Sequence, residues 1–123
     1  YIKHNSHTDY RYKMKSAEEY AESLATQLRK GFLAYCVLVV CSHQPKYTSD
    51  IIKELQAAEL VVVEGTIYPL LNRLQRDGLL VHEWQESEQG PPRKYYRVSN
   101  YGRDVTRVMQ TDIELLHTTL KKL

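Results

Sequence analysis

The chain has little of what builds extracellular frameworks, membrane spans or catalytic centres. Its 123 residues include two cysteines, one tryptophan and one phenylalanine, with four prolines and five glycines. Cys36 and Cys41 lie five apart, about 140° of helical rotation, so they cannot bridge within a helix. Free buried thiols in a reducing compartment are expected. The longest apolar run, residues 32–41, ends at Ser42 and His43 and is about half the length that a membrane-spanning helix needs. No secretory pattern opens the chain, so the expected location is the cytoplasm, with no membrane partner. Charge of one sign is also lacking: 17 Lys and Arg against 15 Asp and Glu leave +2. Lys3, Arg11, Lys13 and Asp9 carry that excess, and residues after 13 are formally neutral. Any nucleic-acid contact must therefore come from a local patch. There is no Ser-His-Asp, Cys-His or Walker pattern. Glu83, Glu86 and Glu88 form the one acidic cluster, which a solvated hairpin arm explains, and a calcium loop needs closer Gly and Asp spacing. His4 and His7 have no further metal ligand nearby. Enzyme activity, a cofactor and a metal are accordingly not expected.

What is present is helical periodicity interrupted once by a hairpin. A chain of this length supports one domain with a modest core. Residues 1–13 are polar and Tyr-rich, either a truncated native extension or a remnant of expression. Ser16 can cap a helix whose first turn holds Glu18 and Glu19. Tyr20 or Ala21, with Ala17, Leu24 and Leu28, make one apolar stripe. Gly31 either interrupts the chain there or merely bends it. Residues 32–41 are apolar nearly all round, which suits a central helix or a dimer interface; a buried strand is the alternative. Pro45 marks a turn. Thr48 or Ser49 then caps a helix with Ile51, Ile52 and Leu55 inward. Residues 61–63 read as a short extended linker.

A helix is predicted over 65–76 with Ile67, Leu70, Leu71 and Leu74 buried. Pro69 must sit near its first turn or bend it, and Gly78 supplies a left-handed cap after Asp77. Residues 79–86 alternate as a strand, "SEQGPP" is turn chemistry, and "RKYYRV" returns as a second strand. Trp84 is expected to pack against the core rather than hold a ligand. Tyr95 and Tyr96 point to opposite faces, so at least one is core. Ser99 or Asn100 caps a last helix, where Val105, Met109, Ile113, Leu116, Leu120 and Leu123 approach a heptad seam.

Two short helices joined by a turn, with a hairpin directly after the second, form a winged helix-turn-helix. The expected class is mainly α with a small β-hairpin wing and added N-terminal and long C-terminal helices. The second helix of such a pair enters the DNA major groove. Thr66, Tyr68, Asn72, Arg73 and Arg76 fit its outward face: Arg suits guanine or phosphate, Asn suits adenine, and Thr suits phosphate or a thymine methyl. A solvated helix face with ordinary Arg residues is the plainer alternative. Arg93 and Lys94, read at the wing tip beside Pro91 and Pro92, can follow the DNA backbone or minor groove. Pairing of Arg93 and Arg97 with Glu83, Glu86 or Glu88 competes with that reading. Thr48 and Ser49 can donate to phosphate from a helix N-terminus, or serve only as caps.

"VEGTIYPLLNRLQRDGLL" followed by "EWQESEQGPPRKYYRVSNYGR" resembles the PadR family of bacterial transcriptional regulators. Glu64, Gly65, Thr66, Tyr68, Pro69, Leu74, Gly78 and Leu79 carry the first motif. Gly90, Pro91, Arg93, Lys94, Tyr95, Tyr96, Ser99 and Gly102 carry the second, and the likeness spans roughly residues 31–103. It implies a homodimer joined through the C-terminal helix, with a repressor-type role at promoters. The family's Tyr-Gly-Tyr-Glu-Ile-like run departs here to "KYTSDII": Tyr47 and Ile51 fit, whereas Thr48, Ser49 and Asp50 replace the rest. The added helix at 16–30 is similar to the extended N-terminus of a cyanobacterial clock-associated member, which implies a clock gene as target.

Three segments are expected: a flexible extension at 1–15, the winged helix-turn-helix with its extra helix at 16–98, and a dimerisation helix at 99–123. The stripe of Leu24 and Leu28 and the seam of Met109, Ile113, Leu116, Leu120 and Leu123 are more apolar surface than one small core covers. Pairing with a second copy buries that surface at about 25 cal/mol per Å². Packing of the last helix on residues 32–41 is the intramolecular alternative. The expected partners are double-stranded DNA and a second copy. A small-molecule inducer would need a cavity between dimer halves, which Trp84 and the tyrosines could line. The rival function is a winged-helix protein-interaction module without DNA contact.

Overall fold

The computed structural model describes residues 14–123; the expectations for His4, His7 and the extension at 1–13 lie outside the described residues. The elements are α1 (Ala17–His43), β1 (Lys46–Tyr47), α2 (Thr48–Ala57), α3 (Glu64–Arg76), β2 (Leu80–Ser87), β3 (Gly90–Val98) and α4 (Asn100–Lys122). The described residues divide into two units between Phe32 and Leu33.

α1 starts where Ser16 predicts. The Glu19 amide donates to Ser16 Oγ at 3.1 Å, and that hydroxyl donates to the Glu19 carboxylate at 3.1 Å. This reciprocal capping satisfies a first-turn donor. The helix then runs without a break to His43, so Gly31 does not interrupt it and 32–41 is not a strand. A single Gly costs a helix about 1 kcal/mol, too little to stop one with long helical stretches on both sides. The joined helix is, by length and composition alone, long and apolar enough to cross a membrane. Near its end, however, Val37, Leu38 and Cys41 are buried in the protein core.

That core takes Ile51 and Leu55 from α2, four apolar residues from α3, and Leu80, Tyr96 and Val98 from the sheet. Both cysteines are free. Burial pushes the Cys41 thiol up to about 12, reinforced by nearby Glu54 and opposed by Lys46. Burial also raises Cys36. Lys46 Nζ and Glu54 Oε2 pair at 2.7 Å, tying β1 to α2.

α2 and α3 end in the same way. Leu60 N donates to Leu55 O at 3.0 Å and Glu59 N to Gln56 O at 2.9 Å; Leu79 N donates to Leu74 O at 2.8 Å and Gly78 N to Gln75 O at 3.0 Å. Both are left-handed caps. Gly78 has φ +81°, as its sequence position predicts, whereas Glu59 takes φ +66° with a side chain.

The sheet has three antiparallel strands in the order β1-β3-β2, one more than the sequence reading provides. Lys46 and Tyr47 pair with Tyr96 and Tyr95. A two-residue strand carries no alternation to read, so it is visible only once β3 is in place. Tyr96 is core and Tyr95 half-buried, as their opposite faces require. Ser99, not Asn100, caps α4 through the Gly102 amide at 3.0 Å. The Ser99 hydroxyl also donates to Gly78 O at 2.6 Å, and Ser99 N to Leu79 O at 3.1 Å. One residue thus joins the start of the hairpin, its end and the last helix. Gly102 sits so close to that joint that an added Cβ would lie 2.2 Å from Leu79 O and 2.8 Å from Val98 Cγ1.

Candidate nucleic-acid interface

α3 is two-sided. Ile67, Leu70, Leu71 and Leu74 are buried, and Thr66, Tyr68, Asn72, Arg73 and Arg76 are exposed. At about 100° per residue, Gly65, Pro69, Asn72 and Arg76 form the outermost line. Tyr68 and Gln75 lie on one flank, Thr66 and Arg73 on the other. Gln75 Nε2 meets His82 Nδ1 at 2.7 Å, so the Tyr68 flank is the one toward β2. Pro69 stands inside the helix rather than in its first turn. Its ring crowds the carbonyl four residues back, that of Gly65. Gly65 is exposed with open space around it, so that carbonyl can tilt toward water.

The hairpin turns at Glu88 and Gln89, because Ser87 pairs with Gly90. Pro91 and Pro92 therefore lie in β3 and not in the turn. They occupy a register shift opposite Glu86, where their missing N–H groups leave no gap in a regular ladder. This corrects the position of the wing cations. Arg93 pairs with Gln85 and Lys94 with Trp84, below the tip. The Arg93 guanidinium lies 5.0 Å from the Tyr47 ring centroid, and Lys94 Nζ lies 5.3 Å from that of Tyr96. Among the described residues, neither Arg93 nor Arg97 forms an ion pair with Glu83, Glu86 or Glu88. Trp84 does not pack in the core: it is 63% exposed, with the His82 ring edge-on at 6.2 Å. The core-facing side of β2 leaves the core after Leu80, so a residue four positions further projects beyond it.

Both sequence motifs thus fall on one helix and one hairpin that share a core. The profile of the transcriptional regulator PadR-like family matches residues 37–108, more than half of the chain. The chain belongs to the PadR-like family. A PadR-like transcription factor from Bacteroides fragilis is 45% identical, with TM-score 0.70 over 81% of this chain and 97% of that one. A PadR family transcriptional regulator from Eggerthella lenta is 31% identical, with TM-score 0.74 over 85% of this chain and 92% of that one. A PadR-like regulator from Bacillus cereus is 31% identical, with TM-score 0.69 over 78% and 94%. No curated protein matches the chain. PadR-like regulators are non-enzymatic DNA-binding proteins, so this chain is a regulator rather than an enzyme.

Within the PadR-like frame, the run departing from the family pattern has a structural role that sequence alone misses. Tyr47, in extended conformation, immediately precedes α2, and no side chain caps that helix. Neither Thr48 nor Ser49 is therefore the cap. The chain enters α2 directly from β1, which makes Thr48 the first helical residue and turns its side chain inward, 6% exposed. Its hydroxyl is not an outward phosphate donor; Ser49 beside it is exposed. Tyr47 packs on Tyr95, with ring centroids 5.9 Å apart, and carries Arg93 on its face. Its place in the resemblance is the only sequence signal for this role.

The two apolar stripes differ along the chain. Met109 and Ile113 are half-buried, whereas Leu116, Leu120 and Leu123 are exposed. Leu24 and Leu28 are exposed as well. Among the described residues, no cluster of three His, Cys, Asp or Glu side chains could hold a metal ion.

Proposed function

We propose that this PadR-like regulator is a repressor that binds a near-palindromic operator as a homodimer in the cytoplasm, without a cofactor. The observation that carries the reading is the two-sided α3. Its four aliphatic residues, Ile67, Leu70, Leu71 and Leu74, face the core, while Thr66, Tyr68, Asn72, Arg73 and Arg76 stand outward beside a hairpin bearing Arg93 and Lys94. Asn72 and Arg76 on the outermost line suit base edges; Arg73 on the flank can reach a base or a phosphate. Ser49 and the wing cations suit the backbone. Exposed Leu116, Leu120 and Leu123 on α4, with Leu24 and Leu28 on α1, support pairing with a second copy. A two-fold pair offers two reading helices about one DNA turn, or a multiple of it, apart. The extended N-terminus, similar to that of the cyanobacterial clock-associated regulator Pex, makes a clock-gene promoter one target to try.

Selection of bound duplexes from a random pool tests the reading. A palindromic consensus is expected, and recovery of no consensus would refute sequence-specific binding. Arg73→Ala should relax preference at particular bases, whereas Arg93→Ala with Lys94→Ala should weaken binding to every sequence. Near-neutral charge favours a second reading, protein docking through the winged helix. Binding to DNA should fall steeply as salt rises, while an apolar protein partner would show little slope.

A further inference from the structure

We infer that Trp84 is a sequence-independent DNA contact: its indole covers a deoxyribose and donates from Nε1 to a backbone phosphate, with Lys94 on an adjacent phosphate. This rests on the proposed DNA binding and specifies which face of the wing meets the duplex. Directly opposed residues of an antiparallel pair share a face. Leu80 with Val98, His82 with Tyr96, and Trp84 with Lys94 therefore form one column on one side of the hairpin. The lower part of that column is core, with Leu80, Tyr96 and Val98 buried. His82 touches Gln75 of α3 on the same side. The column thus starts at the proposed reading helix and runs up the wing, where Trp84 is exposed beside half-buried Lys94.

Three observations favour a polyanion there. A tryptophan normally buries most of its large surface, yet the only one in this chain is 63% exposed. The shallow groove it lines, with Tyr47, Pro91, Pro92, Arg93 and Lys94, has no carboxylate among its lining residues. The wing's other depression, beside Tyr95, holds Glu86 and Glu88 instead. Glu86 and Glu88 thus share their depression with Arg93, whereas no carboxylate lines the indole's groove and Lys94 stands directly opposite the indole. An indole offers an apolar face and one N–H donor, which match the C–H surface and the phosphate oxygen of a nucleotide backbone. Two consecutive prolines hold the opposite wall rigid. The site reads no base edge, so its effect is the same for every sequence.

The test uses the full chain with a duplex recovered by selection and an unrelated duplex of equal length. Because Trp84 is the only tryptophan, its emission reports on this site alone. The duplex should shield it from acrylamide quenching. Trp84→Ala should weaken both duplexes by a similar factor, about tenfold. Its salt dependence should stay unchanged, because no charge is lost. Lys94→Ala should instead reduce the salt slope by about one. The inference is overturned if anisotropy shows duplex bound while quenching is unchanged and Trp84→Ala binds like the parent. It is also overturned if the DNA-free protein already shields Trp84, which would place a second copy over it. Absence of binding to either duplex would sink the DNA-binding reading itself. Should Trp84→Ala fail to fold, the quenching measurement on the parent protein still decides.

Discussion

Gly102→Ala should destabilise the protein, although helix propensity alone argues the reverse. Gly102 is the third residue of α4, where Ala normally gains about 0.5–1 kcal/mol over Gly. Here the new methyl would stand 2.2 Å from Leu79 O and 2.8 Å from Val98 Cγ1. The nearer atom is backbone, so relief requires moving α4 or the Leu79 segment. Overpacking of this kind costs about 1–3 kcal/mol. The same movement strains the Ser99 N–H to Leu79 O bond and the Ser99 cap, each worth about 1 kcal/mol. The net expectation is a loss of about 2 kcal/mol. Gly31→Ala is the matched control, because that glycine is also helical but has nothing within 4 Å of an added Cβ. It should gain up to about 1 kcal/mol. Urea unfolding followed by far-ultraviolet circular dichroism, at one fixed protein concentration, compares the two. Equal stability of the two variants, or a gain at Gly102, would refute the close approach.

Glu59→Gly should stabilise by about 0.5–1 kcal/mol in the same assay, because Glu59 holds φ +66° with a side chain. Ser99→Ala should cost about 1–2 kcal/mol, since its hydroxyl caps α4 and bonds the Gly78 carbonyl. Cys41 should resist a thiol reagent at pH 8 until the protein is denatured, while half-buried Cys36 reacts slowly; fast labelling of both would contradict the burial. The Cys41 pKa is raised in the folded state, so its contribution is intact below the ordinary thiol value of 9.0 and is lost as pH climbs toward about 12. Cys41→Ser should therefore flatten the fall in stability over that alkaline range.

Residues differ in how plainly the sequence announces their places. Ile67, Leu70, Leu71 and Leu74 recur at helical spacing, and nothing competes with that signal, so the inner face of α3 is legible. Gly78 and Ser99 are legible because caps depend on local chemistry. Trp84 misleads because its strand alternates correctly, and alternation says which side a residue faces but not where the core stops. Local chemistry extends the wing turn too far because proline pairs usually mark turns, whereas here a register shift accepts them within β3. Thr48 resembles a cap because threonine often is one, yet a two-residue strand upstream changes which residue leads the helix. Gly31 shows the converse: a weak breaker does not divide a helix favoured on both sides. For Thr48 and for the proline pair, a strand partner beyond the local stretch outweighs local preference.

The outer rim of β3 has a bearing on solubility. β1 covers it only opposite Tyr95 and Tyr96, so residues 90–94 have no neighbouring strand on that side among the described residues. A bare rim of this kind is a template on which foreign chains can add and fibres can grow. Two of those five residues are prolines with no hydrogen to offer, and two more are cations that repel one another's copies. Pro91→Val with Pro92→Thr should therefore leave the fold intact yet raise light scattering on standing.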